Sequence, residues 1–129
     1  MNAFKTAILA VILTTSLHAA TTQRADWEIY TAHIWNYTHS MGPLAGKDVW
    51  LVRIPFKDLR VGMIVQYANP GWFPCPPGHN DVRCDFVIHR IVRKNMFGKW
   101  VTKGDNNDRE DPTVITESNY QGTLIRVIN

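Results

Sequence analysis

The stretch that most restricts the fold runs from Asp85 to Pro112. Residues Asp85 to Lys94 read as a strand, carrying Phe86, Val87, Ile88, Ile91 and Val92. Asn95-Met96-Phe97-Gly98 supplies turn chemistry. Lys99 to Lys103 reads as the returning strand, so the segment is a hairpin. The chain then opens into Gly104-Asp105-Asn106-Asn107-Asp108-Arg109-Glu110-Asp111-Pro112, dense in carboxylates and amides. Acids that follow a strand bearing His89 can orient a histidine base. The same Asp and Asn residues are also ordinary turn formers.

The remaining pattern agrees with a mainly β domain. Val49 to Ile54 reads as a strand closed by Pro55. Asp58 to Gly62 is a turn, Met63 to Ala68 a second strand and Tyr120 to Ile128 a last one. Asn69 to Gly78 holds four prolines and two glycines, which excludes regular structure. The two cysteines, Cys75 and Cys84, flank the end of this excursion and are expected to form a disulfide in an oxidising compartment. Trp72 and Phe73 sit together in the same excursion and suit either a membrane boundary or packing on the domain over the disulfide. With 129 residues the chain fits one domain of modest core.

Residues 1–20 read as a targeting segment. Lys5 is the positive start, Thr6 to Leu17 is mostly apolar, and Ala19-Ala20 supplies small residues. The run is shorter than the roughly 20 residues of a comfortable membrane span. It is either a signal peptide or a short membrane anchor, and both place the rest of the chain outside the cytoplasm. Residues 21–37 form a polar lead-in carrying Trp27, Tyr30 and Trp35 that fits an amphipathic element or an edge strand. His33 within it reads as a surface or capping histidine. The net charge of +3 comes from basic residues scattered along the strands, which disfavours nucleic acid as a partner.

Ser40 lies at a bend, with Gly42 and Pro43 following. A serine at a bend can direct its hydroxyl and its own N–H into one small space. Four motifs in order then resemble the signal peptidase I family. Ser40-Met41-Gly42-Pro43 resembles the family's nucleophile motif. Asp58 to Val65 resembles the segment that leads into the next strand. His89-Arg90-Ile91-Val92 resembles the motif of the general base, and Lys103-Gly104-Asp105-Asn106-Asn107 with Asp111 resembles the acidic motif. The likeness spans about Thr38 to Ile128. Histidine at the base position matches the members that use a Ser–His pair in place of Ser–Lys.

The resemblance implies a single signal-peptidase or LexA-like β domain over residues 38–129. It implies a serine endopeptidase that removes signal segments from exported precursors close to a membrane surface, without a cofactor. Ser40 would be the nucleophile, His89 the general base and Asp111 the orienting acid. Asp105 would support the site, and Thr38 would be a possible oxyanion donor. One such donor is worth about 3 kcal/mol of barrier. A histidine base implies activity that rises through about pH 6–7.

The sequence also departs from the family pattern. His39 replaces a small residue before the nucleophile and is expected to crowd the substrate groove. Met63 replaces an acid. A catalytically inactive binding relative on the same fold is the main alternative. A metal site built from His89, Asp105 and Asp111 lacks the usual ligand spacing.

Overall fold

The computed structural model describes residues 24–36, 39–69 and 86–129. The apolar N-terminal segment, Thr38, the Cys75–Cys84 pair and Trp72–Phe73 lie outside the described residues. Among the described residues no helix is long and apolar enough to cross a membrane.

The fold is mainly β. Strands β1 (Ile29–His33), β2 (Asp48–Val52), β3 (Ile64–Ala68), β4 (Phe86–Lys94), β5 (Trp100–Lys103) and β6 (Tyr120–Val127) form one sheet. Their order is β1-β2-β6-β3-β4-β5, and the neighbouring strands are antiparallel. Among the described residues, two short 3₁₀ turns, Gly42–Leu44 and Phe56–Asp58, complete the regular structure. The expected β4–β5 hairpin is present, with Arg90 opposite Lys103 and Ile91 opposite Thr102. Within the lead-in segment Ile29–His33 is an edge strand: β1 pairs along its length with β2. The sheet therefore begins before residue 38.

Strand β2 ends at Val52, before Ile54. The Ile54 N–H leaves the ladder and donates to the Tyr120 hydroxyl at 3.2 Å. Pro55 then leads into the turn at Phe56–Asp58. The C-terminal strand β6 lies between β2 and β3, so the last strand of the chain joins the two halves of the sheet. That position needs closure over long sequence distances, which local pattern does not encode.

Alternation sorts the apolar side chains into two buried clusters. One contains Leu59, Val65, Tyr67, Val87, Ile91, Trp100, Ile115 and Tyr120. The other contains Ile34, Met41, Val49, Leu51 and Ile64, with Tyr30 and Ile88 packed against it. Strand β4 serves both, because Val87 and Ile91 face one cluster while Ile88 meets the other. His89 shares the parity of Val87 and Ile91 and is 3% exposed.

Gly122 in β6 allows β1 to close over the sheet. A Cβ there would stand 2.5 Å from the Tyr30 hydroxyl oxygen and 2.8 Å from its ring carbon Cε1. The same hydroxyl donates to Gln66 Oε1 on β3 at 2.6 Å. Gly122→Ala should displace the ring, break that bond and cost about 1–3 kcal/mol. Urea unfolding checks this, and an unchanged midpoint contradicts it.

Candidate active site

Three segments distant in sequence meet beside β4. Ser40 enters from the turn before the first 3₁₀ element. Met41 next to it is 1% exposed and is anchored in the cluster of Ile34, Val49 and Leu51. The backbone bends sharply there: His39 has φ +54° and Gly42 φ +58°. Left-handed backbone at a non-glycine residue costs on the order of 1 kcal/mol and is held only by surrounding contacts.

Those contacts come from the acidic loop. The Ser40 carbonyl accepts the Asn106 N–H at 2.8 Å, and Asn106 Nδ2 donates to the His39 carbonyl at 3.3 Å. Gly104 makes the approach possible, since a Cβ there would lie 2.7 Å from the Ser40 carbonyl oxygen. The loop is closed on itself by Lys103, whose Nζ donates to the carbonyls of Gly104 at 2.9 Å and Asn107 at 2.7 Å.

His89 joins the turn to the interior. Its Nε2 lies 3.0 Å from Ser40 Oγ, and its Nδ1 lies 2.6 Å from Asp111 Oδ2. Both the His89 and Asp111 side chains are almost fully buried, at 4% and 3% exposure. Asp111 arrives there because its N–H donates to the Thr102 carbonyl of β5 at 2.8 Å. A buried carboxylate needs several donors to remain ionised. Besides His89, the same Oδ2 receives the Thr102 hydroxyl at 2.6 Å and the Tyr67 hydroxyl at 3.0 Å. Burial pushes the Tyr67 phenol far above its ordinary range, so it stays a proton donor.

The site residues expected from the sequence separate into two groups. Ser40, His89 and Asp111 are brought into one hydrogen-bonded chain. Asp105 is not in it. Its two carboxylate oxygens accept from Arg90 Nε and Nη2 at 2.8 and 2.9 Å, and Arg90 Nη1 donates to the Gly62 carbonyl. His89 and Arg90 are consecutive on a strand and point to opposite faces, so each takes its own acid. Asp105 thereby ties the loop that holds Ser40 to β4. With Asp105 committed to Arg90, the candidate metal set loses a ligand. No group of three or more His, Cys, Asp or Glu able to hold a metal occurs among the described residues.

Tyr67 and Thr102 were not singled out by sequence. The available signal was a hydroxyl at an interior position of a strand, which is common and carries no chemistry by itself. His33 is partly exposed and hydrogen-bonds Asp48 through Nδ1 at 2.7 Å.

A cleft of about 640 Å³ opens on Ser40 and His89. Tyr30, Ile34, Phe86 and Ile88 line its sides, with Gln66 and Gln121 also reaching it. His39, expected to crowd the groove, is exposed and does not line it. The left-handed turn points its side chain elsewhere. No family model, curated protein or solved structure matches this chain.

Two outcomes follow from this geometry. Tyr67→Phe and Thr102→Val each withdraw a donor from the buried Asp111 carboxylate and should cost about 1–3 kcal/mol in denaturant unfolding. Unchanged stability in both variants contradicts the three-donor seat. The second outcome concerns acid. The Arg90 guanidinium holds the Asp105 carboxyl below its ordinary value. A carboxyl depressed in the folded state stabilises the fold above its unfolded value, near pH 4, and that contribution is lost as pH falls through the folded value. Asp105→Asn should therefore be less stable than wild type above about pH 5, by under about 1 kcal/mol for so exposed a pair. The difference should shrink as acid protonates Asp105 in the wild type. A gap that widens towards low pH contradicts the assignment.

Proposed function

We propose that this chain is a serine endopeptidase of the signal peptidase type, with Ser40 as nucleophile, His89 as general base and Asp111 as the orienting acid. The observation that carries this reading is the continuous Ser40–His89–Asp111 hydrogen-bond chain, with its inner two members buried. A cleft at its outer end and the ordered family-like motifs support it.

A serine hydroxyl is a weak nucleophile until a base removes its proton. His89 Nε2, at 3.0 Å, accepts that proton as Oγ attacks the scissile carbonyl. The imidazolium so formed is stabilised through Nδ1–H by Asp111, which also fixes the tautomer that leaves Nε2 as acceptor. Collapse of the tetrahedral adduct expels the amine, which takes the proton back from His89. Water then repeats the sequence on the acyl-enzyme and frees Ser40.

By the same reading the substrates are exported precursors with small residues at the first and third positions before the cut. The protein works outside the cytoplasm at a membrane surface, with residues 1–20 as a signal peptide or short anchor. No cofactor enters the chemistry. Asp105 acts on the loop that holds Ser40 and does not touch the reacting atoms.

The test is cleavage of a signal-bearing precursor by the purified full chain. Ser40→Ala, His89→Ala and Asp111→Ala should each lower the rate by about a thousandfold or more. Full activity of Ser40→Ala would sink the proposal, whereas loss in Asp105→Ala with retention in Asp111→Ala would reassign the acid alone.

A further inference from the structure

The β4–β5 turn carries a feature that the proposed chemistry does not use. Met96 and Phe97 are 89% and 78% exposed, the two most exposed large apolar side chains among the described residues. They do not sit on a loose loop. The Asn95 N–H donates to the Lys99 carbonyl at 2.8 Å, and the Gly98 N–H to the Asn95 carbonyl at 3.0 Å. Asn95 Oδ1 accepts the N–H groups of Phe97 and Lys99, each at 2.9 Å. Gly98, at φ +73°, closes the turn in a conformation that suits glycine. The apolar pair is thus presented outward on a braced tip.

Charge surrounds it in one sign. Lys94 and Lys99 flank the turn and are exposed. Lys94 Nζ rests 4.6 Å from the centroid of the Trp100 ring, which keeps that cation beside the tip. Arg93, one place further back, is neutralised by Glu110 through two hydrogen bonds. No ion pair engages Lys94 or Lys99 among the described residues.

We infer that the Asn95–Gly98 tip is a membrane-docking element that inserts Met96 and Phe97 among the acyl chains of an anionic bilayer while Lys94 and Lys99 meet its headgroups. Two apolar side chains ringed by lysines match the interface of such a bilayer. A protein partner fits less well. A four-residue tip offers far less than the roughly 800 Å² per side that a stable protein interface needs. The inference uses neither Ser40 nor His89 and stands apart from the peptidase chemistry. It has one consequence for that chemistry. His89 lies six residues from Asn95 along β4, at most about 20 Å at ~3.4 Å per residue. A docked tip therefore keeps the Ser40–His89 pair within that distance of the bilayer surface.

The experiment is hydrogen exchange of the full chain by mass spectrometry. It compares no vesicles, phosphatidylcholine vesicles, and mixed phosphatidylcholine–phosphatidylglycerol vesicles, alongside vesicle co-sedimentation. Segment 94–99 should gain protection with the mixed vesicles and lose it in high salt. Met96→Ser with Phe97→Ser should abolish that protection and weaken binding by about tenfold or more. Lys94→Glu with Lys99→Glu should remove the preference for the anionic lipid. Met96 and Phe97 are exposed, so the melting temperature of the serine variant should stay at the wild-type value. Ser40→Ala should bind vesicles as wild type does, which separates this test from that of the peptidase reading. Equal exchange of segment 94–99 with and without mixed vesicles overturns the inference, as does unchanged affinity of the serine variant.

Discussion

The Asp111 carboxylate is the group on which the rest of the site depends. Its side chain is 3% exposed, and an ion so placed is tolerated only when its hydrogen-bonding capacity is met. One oxygen takes donors from three strands: Tyr67 of β3, His89 of β4 and Thr102 of β5. The carboxylate is therefore a knot between neighbouring strands as well as a partner for the histidine. Its position fixes the ring of His89, and through that ring the direction from which Ser40 is addressed.

Ser40 is held by a different device. Backbone amides and carbonyls do the work, with Asn106 and the close approach of Gly104 carrying the Ser40 carbonyl. Asp105 fastens the same loop to Arg90 on the outward side of β4. The loop thus acts at both ends of the chain of hydrogen bonds: its first residues position Ser40 and its last acid orients His89. The strain stored at His39 is sustained by these contacts. Loss of the Asp105–Arg90 pair is expected to act on Ser40 through the backbone, without contact with the reacting atoms.

Much of this was legible in the sequence, for identifiable reasons. The apolar residues of Asp85 to Lys94 and the Asn95–Gly98 turn made the hairpin legible, whereas the side on which His89 lies came from the fold. The ordered motifs pointed to Ser40, His89 and Asp111. Strand β1 was ambiguous because an edge strand with one exposed face, Ile29, Thr31 and His33, mixes apolar and polar residues much as an amphipathic element does. The insertion of β6 between β2 and β3 depends on contacts that no local window contains. In the sequence Asp105 and Asp111 are told apart by the motif alone. The hairpin register, which sets Arg90 and His89 on opposite faces, gives the physical reason that each takes its own acid. Tyr67 and Thr102 escaped notice because a strand hydroxyl acquires meaning only when a buried charge is found beside it.

The central claim is that Ser40 is made nucleophilic by a histidine that Asp111 holds in place. Incubation with a serine-directed phosphonate, followed by peptide mass spectrometry, tests it without knowledge of the natural substrate. The account predicts one adduct, on Ser40, formed by the wild type and not by His89→Ala, although both proteins remain folded. No adduct on Ser40 in the wild type, or equal labelling in His89→Ala, would contradict it.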